Sequence, residues 1–309
     1  MRKGILNIGS LNMDMVIGMQ CMPLIGETVL GNGLSYIPGG KGANQACASS
    51  KLGGEVIMLG CVGADSMGAS LLESLKQCGT DISYIRAIRE VPTGMASIYV
   101  DENGDNSIVV VSGANACCSV EYLKEHDFLF QDAEYIMLQM EIPYDAVFYA
   151  IERASELKKT VILNPAPAPD ALPDGIWNKI DYITPNETEL LKLSGLGEMS
   201  PEAIEEGARR LLEKGVKHVL VTLGDKGVLY KDANETWICP TRTVAAVDTT
   251  AAGDCFNGAF VTALAEGIPV RQAVRFANTA ASVSVTRKGA QNSIPLRGEV
   301  DSLIVSDFA

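Results

Sequence analysis

Three short stretches of the sequence place residues capable of chemistry beside backbone that a ligand could approach. In Asp248-Thr-Thr-Ala-Ala-Gly-Asp254-Cys-Phe-Asn-Gly-Ala, a turn of small residues runs directly into an apolar helical pattern. Ala251, Ala252 and Gly253 carry so little bulk that the N–H groups at the helix start stay open. Those groups and the helix dipole make an anion site. Asp254 falls in the first helical turn, beside that anion. A carboxylate there suits a general base that takes a proton from a hydroxyl attacking a phosphoryl group. The same residues would also serve as an Asp cap after a glycine turn, so this stretch alone leaves both readings open.

The second stretch is Pro38-Gly-Gly-Lys-Gly-Ala-Asn44-Gln-Ala. Its glycines let backbone approach a ligand, and Asn44 offers a donor and an acceptor to a hydroxyl. It is not a Walker A loop: Ser35 stands at the first glycine position and Gly42 follows the lysine. The third is Asn12-Met-Asp14, directly after the first candidate strand, a polar pair able to bind sugar hydroxyls or to close an Asx turn. Two weaker signals follow strands further on. Asn186-Glu-Thr-Glu189 reads also as a helix start with an acidic first turn, and Thr222-Leu-Gly-Asp-Lys-Gly227 reads also as a β-turn. Only two histidines exist, His126 and His218, so a His-rich metal site or a His-dependent triad has little to build on. No G-x-G-x-x-G follows the first strand, so a dinucleotide-binding fingerprint is missing.

The elements that must position these residues alternate. Apolar runs at 5–8, 56–60, 136–139, 161–164, 182–184 and 218–223 predict strands. Helical patterns at 43–51, 68–77, 145–158 and 201–214 lie between them, with further helices at 254–266 and 270–285. Apolar strands alternating with helices predict an α/β fold of three layers, a mostly parallel sheet covered on both faces. Two regions break the pattern. Residues 12–38 show little helical signal, and 94–111 read as two strands around an Asn-Gly turn. They are expected to pair as a small β-sheet lid over the carboxyl edge of the main sheet, where ligands of such folds bind. A hairpin of 226–230 with 236–239 belongs to the main body. The whole, 1–309, is expected to be one domain carrying lid segments at about 12–38 and 94–111.

The 309 residues include 25 basic and 38 acidic side chains, a net charge of −13. That excess repels phosphate backbones and argues against a nucleic-acid partner, without excluding a small anion held by local N–H groups. Cys21, Cys47, Cys61, Cys78, Cys117, Cys118, Cys239 and Cys255 form no C-x-x-C pair. They are expected to be reduced thiols packed as small hydrophobes, which points to the cytoplasm. Arg2 and Lys3 precede an apolar run, but Asn7, Gly9, Ser10, Asn12 and Asp14 interrupt it too early for a secretory signal. No window approaches the roughly 18 apolar residues of a membrane span.

Taken together and in order, these motifs make the chain resemble the ribokinase-like (PfkB) carbohydrate kinases, over nearly its whole length from Ile5 to Ser293. The two family signatures stand as Gly39-Gly-Lys-Gly-Ala-Asn44 and Asp248-Thr-Thr-Ala-Ala-Gly-Asp254. The resemblance implies ATP-dependent phosphorylation of D-ribose at its 5-hydroxyl. It assigns Asn12, Asp14, Gly40, Lys41, Asn44 and Glu141 to the sugar side, with Asp254 as base and Ala251, Ala252 and Gly253 as anion hole. Asn186, Thr222, Gly224, Gly227 and Asn278 fall to ATP, and Glu189 to Mg²⁺ through water. It further implies K⁺ beside the anion hole, at Asp248, Thr250, Ser284, Arg287, Gly289 and Ser293, the arginine through backbone only. Many family members carry Gly where Ala251 stands. Rival readings are a kinase of deoxyribose, fructose or adenosine, or a sugar sensor without catalysis, against which the intact Asp254 and Gly253 argue. Apolar residues on the lid, Ile98, Val109 and Val111, together with the resemblance imply a homodimer formed through it.

Overall fold

The computed structural model describes residues 4–306; the Arg2-Lys3 pair lies outside them. Its strands are β1 (Ile5–Ile8), β2 (Asn12–Met19), β3 (Gly31–Gly39), β4 (Val56–Leu59), β5 (Cys61–Gly63), β6 (Arg86–Ile88), β7 (Gly94–Val100), β8 (Asn106–Val111), β9 (Tyr135–Leu138), β10 (Thr160–Leu163), β11 (Tyr182–Ile183), β12 (His218–Thr222), β13 (Val228–Lys231) and β14 (Thr236–Cys239). Its helices are α1 (Lys41–Lys51), α2 (Ser66–Cys78), α3 (Val120–Glu125), α4 (Asp127–Asp132), α5 (Tyr144–Glu156), α6 (Glu187–Ser194), α7 (Pro201–Glu213), α8 (Ala252–Ala265), α9 (Val270–Ser284) and α10 (Arg297–Ser306).

Eight strands form the main sheet in the order β14-β13-β12-β11-β10-β9-β1-β4. From β12 to β4 the neighbours run parallel, while β12, β13 and β14 form an antiparallel edge. Alternate residues of each central strand enter different cores. In β9, Ile136 and Leu138 pack with α3, α4, α5, α6 and α7, whereas Tyr135 and Met137 pack with α1, α2, α8 and α9. Burial on both faces explains why these strands read as continuous apolar runs. The three-layer expectation holds.

A second sheet, β3-β2-β7-β8, stands beside the first. Strand β2 pairs antiparallel with β3 and parallel with β7, and β8 closes the far edge antiparallel to β7. This is the small sheet expected from 12–38 and 94–111. It is continuous with the main body, because only Gly9, Ser10 and Leu11 separate β1 from β2. A pair of short parallel strands, β5 and β6, was not foreseen.

The expectation of eight reduced thiols is corrected at one pair. Cys47 of α1 and Cys78 at the end of α2 form a disulfide, their Cα atoms 5.2 Å apart. The two helices pack side by side on one face of the sheet and bring the residues into bonding range, a proximity that spacing along the chain does not disclose. Of the remaining cysteines, Cys61, Cys118 and Cys255 are buried as expected, and Cys21 is exposed. No helix among the described residues is long and apolar enough to cross a membrane.

Candidate active site

Asp254 is placed by the contact between α1 and α8. Gly258 lies so close to α1 that a Cβ there would stand 2.6 Å from the Ala48 Cβ, so only glycine allows this approach. Ser49 and Thr262 hydroxyls bond across the same interface at 2.6 Å. One turn earlier on each helix, Asn44 Nδ2 donates to Asp254 Oδ2 and Gln45 Nε2 donates to Asp254 Oδ1, both at 3.0 Å. Helix α1 begins on Gly40, whose φ of 90° is strained for any other residue. A Cβ on Gly40 would also meet the Asn12 backbone nitrogen at 2.6 Å.

On one side of Asp254 lie the predicted sugar residues. Asn12 opens β2 opposite Gly39 and Gly94. Its Oδ1 accepts from Asn115 Nδ2 at 2.7 Å, while Asn115 Oδ1 accepts from the Leu11 N–H at 2.9 Å. Glu141 Oε2 accepts from the Ser10 hydroxyl at 2.5 Å and from the Lys41 N–H at 3.0 Å, which ties the loop after β9 to the start of α1. Asn44 Oδ1 is buried with no hydrogen-bond partner among the described residues. A buried acceptor of that kind is costly unless a ligand donor meets it.

Charge is concentrated here. Burial, reinforced by Glu141 and Asp254, pushes the Asp14 carboxyl up to about 7. Burial also raises Asp254, against the opposing pull of Lys41 and the amides of Gln45 and Asn44. Burial disfavours the Lys41 ammonium, but Asp254, Glu141, Glu189 and Asp14 outweigh it and hold the amine above its usual range. A buried lysine kept charged among carboxylates is suited to neutralising a transferring phosphoryl group.

On the other side of Asp254 opens a cavity of about 530 Å³. It is lined by Lys41, Asn186, Glu189, Thr222, Gly224, Gly227, Ala251, Ala252, Gly253, Asp254 and Asn278, so every residue predicted for ATP and for the anion hole meets here. The N–H of Ala252 donates to the Thr249 carbonyl at 3.2 Å. The first-turn N–H groups after it have no carbonyl behind them inside the helix and are left for an anion. Ala251 itself is left-handed, with φ 59°, which explains why glycine suits this position. Asn186 and Glu189 form the full capping box of α6: Asn186 Oδ1 accepts from Glu189 N at 2.8 Å, and Glu189 Oε2 accepts from Asn186 N at 2.9 Å. The structural reading of that motif is therefore correct, and both residues also face the cavity. Asn278 Nδ2 donates to the Pro240 carbonyl at 3.0 Å, which ties α9 to the end of β14.

The predicted potassium residues lie behind the turn. The Val247 and Asp248 N–H groups donate to the Val285 carbonyl at 2.7 and 3.1 Å, and Gly289 N donates to Asp248 Oδ2 at 2.9 Å. These bonds pin 247–250 against 284–293. Burial would raise Asp248, but the N–H and hydroxyl of Thr250 and the Gly289 N–H hold it below the usual carboxylate range. The Arg287 guanidinium pairs with Glu299, consistent with a backbone role only. The oxygen-rich donor set fits a hard cation.

Sequence reasoning missed the layer beneath Asp254: Gln45, Gln139, Asn7, Asn164 and Asn257. Gln45 adjoins Asn44 within a quoted motif, and Asn164 ends a predicted strand, so position in the chain was the one signal available. Asn115 and Ser10, which hold Asn12 and Glu141, carried none.

Comparison with known proteins identifies the family. The pattern of the pfkB family carbohydrate kinases matches residues 2–297. A ribokinase of Haemophilus influenzae is 40% identical over 97% of this chain and 97% of its own. A deoxyribokinase of Salmonella typhi is 36% identical over 93% of this chain and 94% of its own. The structure of Arabidopsis thaliana ribokinase complexed with ribose and ATP superposes with a TM-score of 0.91 at 33% identity, covering 98% of this chain and 99% of that one.

Proposed function

The chain belongs to the pfkB family of carbohydrate kinases, and on that premise we propose that it moves the γ-phosphoryl group of ATP to the 5-hydroxyl of D-ribose, giving ribose 5-phosphate and ADP. The observation that carries this is the place of Asp254: a buried carboxylate with a polar sugar side at Asn12, Asp14 and Asn44, and a nucleotide-sized cavity behind it. The ribokinase relatives, one of them described with ribose and ATP, support ribose as the acceptor.

Asp254 takes the proton of the attacking hydroxyl. The open N–H groups at the start of α8 receive the charge that develops on the transferring phosphoryl, and Lys41 shares it. Asn44 Oδ1 accepts a sugar hydroxyl, and Asn12, Asp14, Gly40 and Glu141 complete the sugar side. The flap of β2, β3, β7 and β8 closes over the sugar and keeps water from competing as nucleophile. Glu189 stands where it would orient Mg²⁺ through water, and magnesium supplies charge neutralisation on the phosphates. Asp248, Thr250, Ser284, Gly289 and Ser293, with the Arg287 carbonyl, would hold K⁺ behind the anion hole. We place the protein in the cytoplasm as a single domain and as a homodimer joined through the flap.

A coupled ADP-release assay across ribose, 2-deoxyribose, fructose and adenosine tests the substrate. The expected order puts ribose first, because Asn12 presents its amide nitrogen and a deoxy-sugar leaves that donor unpaired. Asn12→Met should narrow the gap between ribose and 2-deoxyribose chiefly by slowing ribose. A preference of the unaltered enzyme for 2-deoxyribose would transfer the protein to the reading that its deoxyribokinase relative represents.

A further inference from the structure

Beneath the base lies a layer of buried amides: Asn164 and Asn257 also line the cavity, while Gln45, Gln139 and Asn7 do not. Gln45 is 0% exposed. Its Nε2 donates to Asp254 Oδ1 and to Asn164 Oδ1, each at 3.0 Å. Its Oε1 accepts from Gln139 Nε2 at 2.7 Å, and that same nitrogen donates to Asn7 Oδ1 at 3.0 Å. An amide nitrogen only donates, so Gln139 compels Gln45 to turn its oxygen inward and its nitrogen toward Asp254. On the far side Asn164 Nδ2 donates to the Thr184 carbonyl at 3.0 Å, Thr184 Oγ1 bonds to Asn257 Oδ1 at 2.6 Å, and Asn257 Nδ2 donates to the Gly253 carbonyl at 2.8 Å. The path leaves the carboxylate and returns to the backbone of the residue before it, inside the turn that faces the phosphoryl group.

This is an expensive way to fill the space between α1, α8 and the strand ends. Apolar side chains of similar volume would need no matched partners, whereas this network leaves Gln139 Oε1 buried without a partner among the described residues. What the amides supply is orientation. We infer that Gln45 is a positioning residue for phosphoryl transfer: its amide, set by Gln139, fixes the Asp254 carboxylate toward the attacking hydroxyl and couples that carboxylate to the anion-hole turn. The inference rests on Asp254 acting as the base.

The arrangement also bears on when Asp254 is ionised. The groups that act on it are Lys41 and the amides of Asn44 and Gln45 on α1, the Glu141 carboxylate after β9, Asp14 on β2, Glu189 on α6 and the neighbouring Cys255. Burial raises its pKa, and the Gln45 donor opposes that rise. A base works deprotonated, so its rate contribution is lost as pH falls through its pKa. Without the donor that loss begins at a higher pH.

The test compares Gln45→Met, Gln139→Leu and Asp254→Asn in kcat, KM and the pH profile of kcat/KM. Gln45→Met should lower kcat by about tenfold or more, the loss expected for a hydrogen bond to a charged group, with KM for ribose and ATP within about twofold. Its acid limb should move to higher pH. Gln139→Leu, which never touches Asp254, should move the limb the same way by less. An unaltered kcat and acid limb in Gln45→Met, with Asp254→Asn inactive, overturns the inference and leaves the base standing. Near-normal turnover in Asp254→Asn removes the base itself. If Gln45→Met does not fold by circular dichroism, Gln139→Leu decides: an acid limb matching the unaltered enzyme overturns the inference.

Discussion

Beneath Asp254 the protein buries amides, and on the flap it exposes valines. The floor residues Asn7, Gln45 and Gln139 are 0% exposed and meet partners within the chain. On β8, Ile108, Val109, Val110 and Val111 are each more than half exposed, and that strand is an open edge of its sheet. A floor whose amides bond one another, with Gln139 Oε1 left without a partner among the described residues, holds one geometry, as catalysis requires. An apolar open edge is left for something else to cover. Strand β2 joins the two, with Asn12 buried at its start and its middle only half covered. Changes to the floor should therefore alter turnover and leave assembly alone, and changes to the outer flap should do the reverse.

The largest effect belongs to Asp254, the proposed base held by that floor. Asp254→Ala should lower kcat by about 10²–10⁴-fold while ribose binding measured by calorimetry persists, the range typical of general-base catalysis. Near-normal turnover would undo the division between the regions, since the floor would then support nothing. The flap supplies the converse. Val109→Glu combined with Val111→Glu places carboxylates on a surface that a second copy would otherwise bury, at a cost that raises the dimer dissociation constant by on the order of 10²-fold or more. Light scattering should then report the 32.9 kDa single chain. If the unaltered protein already scatters as one chain at micromolar concentration, the flap edge needs no partner. Of the three apolar residues that suggested pairing, Ile98 supports it least, because its neighbours on β2 and β8 half cover it.

Smaller, and specific to the turn above the floor, is the effect of a monovalent cation. Replacing Na⁺ by K⁺ at constant ionic strength should raise kcat severalfold, and Asp248→Ala should abolish the difference, because Asp248 joins the phosphate turn to 284–293 through Gly289. Equal rates in the two salts, with ribose and MgATP saturating, would remove the ion from the turn.

How legible each region was in the sequence follows from the same contrast. The main sheet showed itself because doubly covered strands are apolar throughout, as Ile136–Leu138 and Val161–Leu163 are. The flap showed itself because 94–111 reads as two strands around an Asn-Gly turn. The residues proposed to meet a ligand sat in glycine-rich motifs, where close approach constrains composition, so Asn44, Gly253 and Asp254 stood out as candidates. The supporting amides could not. Gln139 and Asn164 each end an apolar run, and nothing in a run says that its last residue turns inward to bond another amide. Asn115 reaches Asn12 across 103 positions. The Cys47–Cys78 pairing is hidden for the same reason, since it depends on how two helices lie against each other.

The smallest effect separates the regions by backbone alone. Ala251 holds φ 59° and ψ 14° at the N-terminus of α8. A left-handed conformation costs a residue with a Cβ about 1–2 kcal/mol, whereas glycine adopts it freely and loses about 0.5–1 kcal/mol through its looser unfolded chain. The difference favours glycine here, so Ala251→Gly should stabilise the protein by a few tenths to about 1 kcal/mol in urea titration. Turnover should stay within about twofold, because the N–H directions of the turn are kept. The same replacement at Ala96, buried in β7 of the flap, meets an extended strand that needs no positive φ. Ala96→Gly should therefore destabilise, by about 0.5–1 kcal/mol. Loss of stability in both variants would mean that the turn holds Ala251 without strain.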